Sequence, residues 1–67
     1  MSVAKITEIS SESDKSFEDA IRVGIKRAAK TIQNIEGAWL KDQQLLIRDG
    51  DVTGFRVTMK LTFVLKD

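Results

Sequence analysis

A chain of 67 residues has room for one small domain, and 42% hydrophobic with 31% charged residues is the composition of a globular polypeptide, not a disordered one. The absence of Cys and His excludes disulfide staples, zinc centres of the usual kind, thiol nucleophiles and Ser-His catalysis. Eleven Lys and Arg against ten Asp and Glu leave a net charge of +1, well short of the positive field that a phosphate backbone selects, so nucleic acid is not favoured as a partner.

Size has a further consequence. A chain this short buries only about 60% of the surface it exposes when unfolded, and ordering it costs roughly 1.5 kcal/mol per residue. Without disulfide or metal, self-association is the expected source of the missing stability. The stretch from Met1 to Ile9 carries Lys5 and Glu8, so it lacks an apolar core of signal-peptide length, and no apolar run of about eighteen residues occurs anywhere. The expectation is a cytoplasmic protein with no membrane partner, one domain over residues 1–67.

In chain order, Val3 to Ile9 is rich in β-branched residues and runs into the polar stretch Ser10 to Asp14, which reads as a first strand followed by a loop. Ser16, ahead of Phe17-Glu18-Asp19, is a helix N-cap with acids in the first turn. Apolar residues at Phe17, Ala20, Ile21, Gly24, Ile25, Ala28, Ile32 and Ile35 then keep i, i+3, i+4 spacing, which predicts one amphipathic helix over about Phe17 to Asn34. Gly24 within that stripe costs about 1 kcal/mol relative to Ala, and close approach of helix to sheet is the simplest compensation.

Beyond Asn34 the period changes. Gly37 to Arg48 reads as a second strand with a polar, bulged middle, and Asp49-Gly50 supplies the two residues that a type I′ hairpin turn needs at positive φ. From Phe55 to Leu65 every odd-numbered residue is apolar, the alternation of a strand with one buried face. The fold class is α+β: β-α-β-β, a three-stranded antiparallel sheet with one amphipathic helix packed on one face. Counting back from a two-residue turn pairs Gln43 with Arg56 and Trp39 with Lys60. The face away from the helix then holds Trp39, Lys41, Gln43, Arg56, Thr58 and Lys60.

Taken together, Ser-x-x-Ser-Phe-Glu-Asp-Ala-Ile at residues 13–21, Arg-Ala-Ala-Lys-Thr-Ile at 27–32 and Phe-Arg-Val-Thr-Met-Lys-Leu-Thr-Phe at 55–63 resemble the dodecins, and the resemblance spans about Val3 to Leu65. It implies a hollow homododecamer, and a flavin (FMN, riboflavin or lumichrome) as cofactor. In flavin-binding dodecins a Trp early in the second strand stacks on the ring, and a Gln in a Gln-Val-Thr-Met-Lys-like motif bonds its edge. Here Gly37 stands at the Trp position and Arg56 at the Gln position. Trp39, two residues beyond Gly37 and on the same face by strand parity, can offer its indole from a shifted position; buried contact between subunits is the other reading of that side chain. Arg56 can donate to flavin carbonyl or phosphate oxygens but cannot accept from a ring N–H. Its other reading is an ion pair, for instance with Asp42 or Glu36 of a neighbouring subunit. Asp42 matches an often acidic position near the pocket and can accept from ribityl hydroxyls.

The expected ligand site is therefore Trp39, Arg56, Gly37 and Asp42, with no catalytic residue, no metal ligand and no enzymatic activity, in a ligand-binding or storage assembly. An alternative stays open, because some dodecin-like proteins lack the stacking Trp, carry Arg at the Gln position and are associated with calcium: a shell that binds no flavin, holding calcium between subunits or serving as a structural assembly. Asp42, Asp49 and Asp51 supply carboxylates but form no recognised calcium loop. Lys26, Arg27 and Lys30 form a basic cluster late in the helix that suits the macrodipole and faces solvent.

Overall fold

The elements follow the expected order, β1 (Val3–Ser13), α1 (Phe17–Ala28), β2 (Ile35–Arg48) and β3 (Asp51–Leu65), in a computed structural model that describes residues 3–66. Residues 1, 2 and 67 of the expected domain lie outside the described residues. Both pairings are antiparallel, and β3, the strand with the strict alternation, lies in the centre of the order β1-β3-β2. Its odd-numbered side chains explain that placement: Val57, Met59 and Leu61 are fully buried, and with Ala20 and Ala28 of α1 they form the core.

The helix begins as the capping signal requires. Ser16 Oγ accepts from the Asp19 backbone N–H at 2.9 Å, and the Asp19 carboxylate accepts from Ser13 Oγ at 2.6 Å, fastening the first turn to the end of β1. It ends at Ala28, six residues short of the expected end at Asn34. The Lys30 and Thr31 backbone N–H groups bond to carbonyls three residues back, and Asn34, with φ +64°, turns the chain into β2. Ile32 and Ile35 still pack on the core, so the stripe persists where the helix does not.

The serine-rich stretch expected as a loop is strand: β1 continues through Ser10↔Thr58, Ser11↔Val57 and Ser13↔Phe55. Ser11 lies under the helix at Gly24, where a Cβ would come within 2.7 Å of Ser11 Cβ and 3.0 Å of Met59 Cε. The glycine is there for close approach. At the far end Asp49 (φ +52°) and Gly50 (φ +81°) make the hairpin turn.

The second strand is bulged, and more often than expected. One extra residue falls on β3 at Thr53, one on β2 at Lys41 and one on β2 at Glu36. The Thr53 bulge moves Gln44, not Gln43, opposite Arg56 and puts Gln43 against Val57 on the helix side. The Lys41 bulge restores Trp39↔Lys60.

The helix packs on β1 and β3, so the helix-side face of β2 is left open, with Leu40 and Leu45 each 46% exposed. The molecule is long, 51 × 19 × 14 Å, and its radius of gyration of 13.8 Å exceeds the roughly 11 Å of a compact chain this size.

Gly24→Ala should lower stability by about 1–2 kcal/mol through overpacking against Ser11, although alanine is intrinsically the better helix former. The urea midpoint measures it, and a higher midpoint would show that β1 yields at no cost.

Candidate functional site

Because the odd-numbered residues of β3 face the helix, its even-numbered residues line the opposite face. Register then builds that face in rows, one residue per strand: Glu12, Arg56 and Gln44; Ser10, Thr58 and Asp42; Glu8, Lys60 and Trp39; Ile6, Thr62 and Gly37. Trp39, Arg56, Gly37 and Asp42 thus share one surface. Asp42 owes its place to the Lys41 bulge, since unbroken parity from Trp39 would have turned it to the helix side.

Trp39 is 64% exposed. An indole left in water on a polar sheet face is costly for the isolated chain, and it offers a flat apolar surface for stacking. Gly37 leaves the neighbouring row shallow. The Thr62 hydroxyl donates to Gly37 O at 3.3 Å, and a Cβ at Gly37 would stand 3.1 Å from that hydroxyl, so Thr62 is fitted to a glycine there.

At the other end Arg56 lies between two partners of its own chain. Nη2 bonds to Glu12 Oε2 at 3.3 Å and Nη1 donates to Gln44 Oε1 at 3.3 Å. Neither Asp42 nor Glu36 is its partner within the chain. Lys41 reaches across from its bulge to Glu8 Oε1 at 3.3 Å. All these groups are at least partly exposed, so each pair is screened and individually weak.

Glu12 and Gln44 were not among the expected site residues. Glu12 falls in the stretch read as loop, although its spacing of four from Glu8 matches a strand face. Gln44 is displaced from its simple-count position by a bulge that only Gly54, buried behind Thr53, hinted at. The carboxylates considered for calcium do not gather: Asp42 is on the sheet face while Asp49 and Asp51 are at the hairpin turn, and no group of three or more metal-ligating side chains occurs among the described residues. Lys26, Arg27 and Lys30 border a surface hollow with Val23 on the helix, apart from the face that carries Trp39. Among the described residues no helix is long and apolar enough to cross a membrane.

Comparison with known proteins agrees with the fold. The family model described as Dodecin matches residues 3–66. The dodecin of Streptomyces davaonensis superposes with a TM-score of 0.93 at 30% identity, over 98% of this chain and 97% of that one. The dodecin of Streptomyces coelicolor gives 0.93 at 26% identity over 98% and 94%. A calcium-chelating immunodominant antigen of Mycobacterium tuberculosis, a calcium dodecin, shares the fold with a TM-score of 0.84 at 22% identity over 96% and 91%. Curated proteins give no match.

Arg56→Ala should cost less than about 1 kcal/mol of stability, and a double-mutant cycle with Glu12→Ala should give a coupling of about 0.2–1 kcal/mol that shrinks with salt. Urea unfolding at two ionic strengths measures both, and a coupling above about 3 kcal/mol would make Arg56 a structural residue.

Proposed function

The chain belongs to the dodecin family, and on that footing we propose that it is a cytoplasmic, single-domain homododecamer that binds or stores a flavin (FMN, riboflavin or lumichrome) on the sheet face away from the helix, without catalysis. The observation that carries this reading is Trp39, an indole 64% exposed on a face where charged and hydroxyl side chains predominate. Stacking on it would bury both ring surfaces from water and give the flavin excited state a partner for quenching. Arg56, with N–H groups left after Glu12 and Gln44, would bond the polar edge of the ring, Gly37 would leave room beside the indole, and Asp42 would accept from ribityl hydroxyls.

Assembly is supported by what the chain leaves uncovered. Leu40 and Leu45 lie open on the helix side of β2, and Ile47 and Val52 near the hairpin turn are 63% and 53% exposed. That is apolar surface which a second copy would bury.

A second reading has its own observation: Gly37 and Arg56 stand where flavin-binding dodecins carry Trp and Gln. In that case the shell takes calcium or no ligand, and carboxylates such as Asp42 from several subunits would have to converge to supply six to eight oxygens.

Titration of FMN, riboflavin and lumichrome with the purified protein should quench flavin fluorescence saturably, and Trp39→Ala should abolish the quenching. No quenching by the native protein would leave the second reading, which calcium titration by calorimetry then tests. For assembly, native mass should exceed that of one chain many-fold, and Met59→Asp, at a fully buried position, should abolish fold and oligomer together. A folded monomer would overturn the proposal.

A further inference from the structure

The row at the Arg56 end takes one residue from each strand, Glu12 from β1, Arg56 from β3 and Gln44 from β2. A guanidinium carries five N–H donors. In this row one nitrogen serves Glu12 at 3.3 Å and another serves Gln44 at 3.3 Å. The two kinds of ligand oxygen make different demands on what is left. A carbonyl oxygen needs a single free N–H and tolerates a carboxylate on the far side of the guanidinium. A phosphate engages the paired donors and the charge together, and here it would have to crowd a second anion against Glu12.

The face as a whole carries no net positive charge, and Lys60, opposite Trp39, is the one of its bases without an ion pair among the described residues. The acids of the face are Glu8, Glu12 and Asp42 and its bases are Lys41, Arg56 and Lys60, three against three. Lys41 is already matched by Glu8 at 3.3 Å. The two glutamates both come from the edge strand β1, four residues apart.

We propose that Glu12 is a specificity-determining residue of this face: by neutralising Arg56 it directs the site to the carbonyl edge of an uncharged planar heterocycle and against a phosphorylated one. The inference rests on the flavin reading above and adds to it the class of flavin preferred.

The test compares dissociation constants for riboflavin and FMN in the native assembly, in Glu12→Gln and in Glu18→Gln. Glu18 pairs with Arg22 on the exposed side of the helix at 3.4 Å, so the second variant changes net charge equally without touching the face. The native protein should bind riboflavin more tightly than FMN. Glu12→Gln should tighten FMN by about three- to tenfold at low salt, with the gain shrinking as salt rises, and should move riboflavin by less than about twofold. Glu18→Gln should leave the ratio unchanged. Should Glu12→Gln not assemble, the native protein carries the test, because screening of Glu12 by salt should bring the FMN constant towards that of riboflavin. Equal shifts for both ligands, or a ratio that neither salt nor the variant moves, would overturn the role of Glu12 and leave the flavin site standing. Failure of the native protein to bind either ligand would overturn the site itself and this inference with it.

Discussion

The contact on which the rest depends is the approach of α1 to the sheet at Gly24. A missing side chain on the helix meets a small one, Ser11, on the strand, and the helix settles close enough to seal Met59 from water. Only Ala20, Ala28, Val57, Met59 and Leu61 are buried among the described apolar residues, and the hydrophobics packed around them, such as Ile21, Ile25 and Ile32, are only partly buried, so the core is thin. Any spacer between α1 and β1 would open it along its whole length. Hydrogen bonds at the helix start hold the same geometry from the other side, because Asp19 is tied to Ser13 on the strand that carries Ser11.

One helix of twelve residues cannot cover three strands of eleven to fifteen. By sitting on β1 and β3 it divides the surface into two kinds. On its own side β2 shows Leu40 and Leu45, which want an apolar partner. On the opposite side the sheet shows mainly charged and hydroxyl side chains in rows, with the Trp39 indole and Ile6 among them. A surface of the second kind is suited to holding a flat molecule, because strands place side chains at fixed intervals and paired neighbours hold their rotamers.

Much of this was legible in the residues. The alternation from Phe55 to Leu65, the Asp49-Gly50 turn, the Ser16 cap and the helical stripe each state a local geometry directly, and the expected β-α-β-β sheet followed from them. What eluded the sequence had physical causes. Serines are turn formers by propensity, yet Ser10 to Ser13 pair as strand because β3 offers them partners and the helix needs something small beneath it. The apolar period ran on to Ile35, but periodicity records which residues face the core and not the backbone path that brings them there, so it could not show the turn at residues 29–31 or the left-handed Asn34. A bulge in the polar middle of β2 was expected and lies at Lys41, where it brings Asp42 onto the face away from the helix; the bulges at Thr53 and Glu36 were not expected, and the one at Thr53 exchanges Gln43 for Gln44 opposite Arg56. Of the expected site residues all four share that face; their chemistry depends on neighbours that only the register reveals.

That dependence changes how a departure from a family motif is weighed. Position by position, Arg56 where the resemblance implies a Gln removes an acceptor, because a guanidinium has none. In the folded sheet Arg56 is one member of a row. Glu12 on one side accepts from the guanidinium and carries the opposite charge, and Gln44 on the other accepts through its carboxamide oxygen. The donors and acceptors that a single Gln would present are thereby spread over three strands. A motif compared along one strand sees a substitution; the chemistry of the surface is set across the strands, at right angles to the sequence.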